Sequence, residues 1–64
     1  MTEIQALELE PGMVIEVEQG RGYVTAVDVH RRDERPILVV TRYISHDITH
    51  VVSFVAQEKV RVLA

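Results

Sequence analysis

The sequence predicts a single all-β domain of five short strands. Three observations carry that expectation. The chain has 64 residues, enough for one domain and no second. Twelve Val, five Ile and four Thr make a third of it β-branched, the residue class that packs best on a pleated surface. Apolar positions alternate with polar ones over short stretches, and no long segment keeps a helical period. Hydrophobic residues reach 47%, too many for a disordered chain.

The elements follow in order. Residues 3–9 place Ile4, Leu7 and Leu9 in a segment that reads as one helical turn or an extended lead-in, too short to stand as a helix. Glu10-Pro11-Gly12 reads as a turn: Pro presets φ at one position and Gly accepts a positive φ at the next. Met13 to Glu18 is the first strand, with Met13, Ile15 and Val17 on one face and Val14, Glu16 and Glu18 on the other. Gln19-Gly20-Arg21-Gly22 supplies a turn with two permissive glycines. Tyr23 to His30 is the second strand. Val24 and Val27 fall on opposite faces of a regular strand, so a β-bulge or bend near Ala26 is expected. His30 to Pro36 is polar and ends in Pro, which reads as an exposed loop. Ile37 to Tyr43 is the most apolar strand and the expected central one. Residues 44–48 should turn. Thr49 to Ala56 forms a fourth strand with Val52 and Phe54 on one face, and Lys59 to Leu63 a fifth with Val60 and Val62 inward.

Five short strands with tight turns across residues 1–64 fit a partly open barrel of SH3-like type. The segment Ala6-Leu7-Glu8-Leu9-Glu10-Pro11-Gly12-Met13-Val14-Ile15, followed by a valine-rich strand, resembles the lead-in of the elongation factor P N-terminal domain and related KOW-type barrels. That resemblance covers about twenty residues and implies a fold. It does not carry the activity of elongation factor P, whose modified lysine sits on a Gly-rich loop; the corresponding residues, His30 to Pro36, hold neither Lys nor Gly. In size and pattern the whole chain also resembles short barrel proteins encoded by actinobacterial phages and their hosts. This second resemblance implies a cytoplasmic accessory protein expressed in an infected or lysogenic cell.

Charge and composition exclude several classes. Without Cys there is no disulfide scaffold, thiolate metal site or cysteine nucleophile. The longest apolar run, Ile37 to Val40, is too short to span a membrane as a helix, and the first residues do not read as a signal peptide. The net charge of −3 is unevenly placed: five Glu and no base before Gly20, then five Arg against three acids up to Arg42. An acidic chain is a poor match to a dedicated nucleic-acid binder, whose affinity comes from neutralising phosphates.

Candidate chemistry is sparse. His46 and His50 have the four-residue spacing of two zinc ligands on a helix, but here they flank a turn and a strand start, so no metal is expected. Ser45-His46-Asp47 holds the residue types of a hydrolase triad at adjacent positions, which on a strand point to opposite faces. Gly20-Arg21-Gly22 lacks the Lys and the following helix of a phosphate-binding loop. No enzyme, cofactor or small-molecule substrate is expected.

Two features remain for binding. Arg31, Arg32 and Arg35 form an Arg-rich loop which, with Tyr23, Arg42 and Tyr43, would make an Arg/Tyr contact surface. Val14, Val40, Val51 and Val55 fall on outer strand faces and would meet a second copy or another protein. The leading expectation is a protein-interaction module, able to self-associate, that uses Val40, Val51 and the Arg loop. The alternative is a nucleic-acid or ribonucleoprotein accessory module in which Arg21, Arg31, Arg32, Arg35 and Arg42 contact phosphates.

Overall fold

A computed structural model describes residues 2–64, and its fold is all-β. The strands are β1 (Thr2–Gln5), β2 (Val14–Val17), β3 (Gly20–Arg32), β4 (Arg35–Ser45), β5 (Ile48–Val55) and β6 (Lys59–Val62), with a short 3-10 turn at Ala6–Glu8. They form one open antiparallel sheet in the order β1-β6-β2-β3-β4-β5. The strand count therefore differs from the expected five. Residues 2–5 pair with β6, Ile4 opposite Val60, and residues 6–8 supply the helical turn, so the lead-in is extended first and coiled second. Four residues with one apolar member carry too little alternation to be read as a strand.

The inward face of the sheet holds the core. Ile15, Val24, Val39, Phe54 and Val60 are buried, and Ala6, Leu9 and Ala56 close over them. Met13, Val17, Val52 and Val62 pack against this cluster, as their alternation requires. The lead-in is held by its backbone: Ala6 N donates to the Glu58 carbonyl at 2.8 Å and Leu7 N to the Ala56 carbonyl at 3.1 Å. At the Glu10–Gly12 turn Gly12 takes φ +101°, and Met13 N donates back to the Glu10 carbonyl.

The long β3–β4 ribbon dominates the shape, 37 Å in its largest dimension. Its register shifts between Val24 and Ala26, where Thr25 is the extra residue. This is the bulge that puts both Val24 and Val27 against the core. A second shift, between His30 and Arg31, leaves Ile37 unpaired on β4.

The turns are tighter than the sequence implies. His30 to Pro36 is not a loop: β3 continues to Arg32, β4 begins at Arg35, and only Asp33-Glu34 turns, both with positive φ. Residues 44–48 likewise reduce to His46-Asp47, again both at positive φ. These are two-residue hairpin loops with the twist of the flanking strands, built without glycine. Between β2 and β3 the turn falls on Glu18 and Gln19, and Gly20 already opens β3.

Candidate interaction surface

The outer face of β3–β4–β5 is set by register. Successive cross-strand rows are Tyr23–Ile44–Thr49, Ala26–Arg42–Val51, Asp28–Val40–Ser53 and His30–Leu38–Val55. Ile44, Val51 and Val55 are exposed in these rows, while Val40 and Leu38 are half-buried between their neighbours. An aliphatic strip thus crosses the outer face with Arg42 in its middle. Val40 and Val51 share this surface, as expected from the sequence.

Beyond the strip lies the edge of the sheet. Among the described residues β5 pairs with β4 on one side and with no other strand. Its sequence, Ile-Thr-His-Val-Val-Ser-Phe-Val, holds no Asp, Glu, Lys, Arg or Pro, the residues that usually protect an edge. Ile48 and Val51 are each 60% exposed and Val55 57%. Under this edge runs an open cleft of about 450 Å³ with Val17, Val52 and Phe54 in its lining. Glutamates outnumber bases around it, but Glu16 accepts a bond from Arg61 Nη1 at 3.0 Å and Glu58 accepts one from the Val55 N–H at 3.2 Å.

The arginines separate into different settings. Arg31, Arg32 and Arg35 sit on the paired strand ends at the hairpin tip, not on a loop, and all are exposed. Among the described residues the ion pairs join Arg61 and Arg21 to Glu16, and none reaches the tip. Arg32 and Arg35 border a shallow depression with Asp33 and Ile37. Arg21 is drawn towards Glu16, 3.9 Å away, and stands apart from the tip.

Tyr43 is a correction. It points inward and is only 4% exposed, its ring stacked on His50 with centroids 5.2 Å apart and close against Gly22. Arg42 lies on the opposite face, so no joint Arg/Tyr surface with Tyr43 forms. The signal was present in the sequence: Tyr43 shares its parity with Val39 and Thr41, both buried. Tyr23, in contrast, is exposed.

His46 and His50 occupy separate environments. His50 is half-buried in the stack on Tyr43, while His46 is exposed in its turn. Ser45 Oγ and His46 Nδ1 lie 3.2 Å apart, a contact between neighbours that the left-handed conformation of His46 permits and a regular strand would not. Among the described residues no group of three or more His, Asp or Glu side chains is placed to hold a metal ion, and no helix is long and apolar enough to cross a membrane. Comparison of the chain with protein-family models, with curated proteins and with solved structures finds no significant match.

Proposed function

We propose that this chain is a non-enzymatic protein-interaction module that recruits an extended strand of a protein partner to β5. The observation that carries this reading is the open edge: a strand of eight residues without a formal charge or a proline, with no strand on its second side among the described residues, and only Val55 tied down there, by Glu58. Main-chain hydrogen bonds along such an edge provide affinity, and pockets for alternate side chains provide selectivity. Val52 and Phe54 in the otherwise mostly polar cleft beside the edge, and the outer strip containing Val40 and Val51, give both faces of an added strand something to cover. The expected setting is that of a cytoplasmic, phage-type accessory protein. The lead-in at Ala6–Ile15 and the bulged β3–β4 ribbon support placing the sheet among partly open SH3-like barrels.

The test is direct binding to candidate partners, with the wild type, Val51→Lys and the Arg31→Ala/Arg32→Ala/Arg35→Ala variant compared across salt concentrations and after nuclease treatment. Edge binding should survive nuclease, change little with salt, weaken in Val51→Lys and persist in the triple variant. A second reading, nucleic-acid contact, is favoured by the three arginines at the hairpin tip, which have no acidic partner there among the described residues. It requires the reverse pattern: binding that falls steeply with salt and is lost in the triple variant.

A further inference from the structure

We infer that the strand recruited by β5 is the β5 of a second copy, paired antiparallel about a two-fold axis through Val51. The inference rests on the edge-binding reading above and names its occupant. An antiparallel edge pair about an axis normal to the sheet keeps outer residues opposite outer residues and inner opposite inner. Only pairings between positions of like parity satisfy this, which leaves few registers.

The register centred on Val51 pairs the most residues, seven; a register centred on Ser53 also matches side chains but pairs five and needs Val55, whose N–H and carbonyl are already bonded to Glu58. The Val51 register sets Val51 against Val51, Thr49 against Ser53 and Ile48 against Phe54 of the other copy, so apolar meets apolar and hydroxyl meets hydroxyl. His50 then faces Val52. Moving the axis to Val52 places Thr49 against Val55, Val51 against Ser53 and His50 against Phe54, three mixed pairs. The Val51 register also accounts for the exposure of Ile48. At 60% exposed on its own copy, Ile48 would lie beside Phe54 of the other, one of the few apolar residues that line the cleft.

Charge on the strand itself does not oppose this pairing. β5 carries none, so two copies meet without like-charge repulsion across the axis. Two of the glutamates around the cleft are already engaged, Glu16 by Arg61 and Glu58 by the Val55 N–H. Thr49, Val51 and Ser53 turn their backbone groups to the edge, so the pairing would add about six main-chain hydrogen bonds. The two aliphatic strips would join into one outer surface on a continuous twelve-stranded sheet, twice the six strands of one copy.

The chain has no cysteine, so an introduced one reports a single contact. Opposite residues of an antiparallel pair have Cα atoms about 4.5–5.5 Å apart, within disulfide reach. Val51→Cys should therefore give a disulfide-linked dimer under mild oxidation. Thr49→Cys and Ser53→Cys should cross-link when mixed and remain uncoupled alone. Sedimentation should show a dimer for the wild type at high micromolar concentration, and Val51→Lys should weaken it by at least about tenfold while keeping the wild-type circular dichroism. Position 51 is exposed, so the lysine does not disturb the core of the single copy. A monomeric wild type under these conditions overturns the inference, as does a dimer in which Val51→Cys fails to cross-link. A monomer that still binds a different protein through β5 overturns the self-pairing and leaves the edge-binding function standing.

Discussion

Replacing Gly22 with alanine should destabilise the protein severely, although the substitution adds one methyl group. Gly22 is buried in β3, and its role is spatial: its φ lies outside the left-handed region. A Cβ there would stand 2.1 Å from Tyr43 Cδ2, 2.9 Å from Cε2 and 3.0 Å from the Ile44 carbonyl oxygen. Ordinary contact begins near 3.4 Å, so the ring must retreat by about 1 Å or more. It cannot do so freely, because it is stacked on His50 and almost fully buried. The carbonyl belongs to the sheet and moves only with β4. Overpacking of this kind costs about 2–3 kcal/mol, at the upper part of its usual range, because ring and backbone both resist. A chain of this length has about 3–10 kcal/mol of total stability, so the loss is a large fraction. The melting temperature, followed by circular dichroism, should fall by about 10–20 °C. A double-mutant cycle isolates the cause. Tyr43→Phe retains both clashing ring carbons and should leave the Gly22→Ala penalty intact, whereas Tyr43→Val removes them and should cut that penalty by about 1 kcal/mol or more. A Gly22→Ala protein within about 0.5 kcal/mol of wild type would refute the placement of the Tyr43 ring over Gly22.

Other substitutions test separate parts of the fold. Thr41 is fully buried and its Oγ1 has no hydrogen-bond partner among the described residues, so Thr41→Val should raise stability by about 1 kcal/mol in urea unfolding. Glu34 holds φ +68° in the β3–β4 turn, a left-handed conformation that costs an L-residue with a Cβ about 1–2 kcal/mol; part of that gain is lost to glycine's freedom in the unfolded chain, so Glu34→Gly should raise the melting temperature by about 5 °C. Arg61 and Glu16 form an exposed pair, so Arg61→Gln should cost no more than about 0.5 kcal/mol, and the difference should shrink at high salt.

What could be read in the sequence was the part encoded by local alternation. Met13, Ile15 and Val17 face inward as their spacing demands, and so do Val52 and Phe54, and Val60 and Val62. The awkward spacing of Val24 and Val27 correctly implied a bulge near Ala26, because two core-facing residues three apart on a strand require one extra residue between them. The hairpin ends were hidden for the opposite reason. Arg31, Arg32 and Arg35 look solvated in isolation, and Asp33-Glu34 and His46-Asp47 lack the glycine that marks a two-residue turn. Those residues are held in strands by the partners across from them: Arg32 by Arg35, and Ser45 by Ile48. Pairing of this kind is a property of the ribbon and leaves no pattern in a single stretch.

The candidate site shows the same limit more sharply. Val40 and Val51 were legible as outer-face valines, yet nothing in residues 48–55 marks them as an edge. An uncharged, β-branched strand reads as an interior one, since interior strands need no protection on either side. Only the sheet order, which depends on β1 and β6 joining β2 at the far side, leaves β5 with one unpaired flank. Composition and topology thus point in opposite directions at this strand: it is built like the middle of a sheet and placed at its border. A second strand alongside β5 removes that conflict, with its main chain satisfying the free edge and its side chains covering Ile48 and Val51. This is the physical argument for proposing β5 as the binding edge in preference to the more conspicuous arginines at the hairpin tip, whose exposure in water needs no partner to explain it.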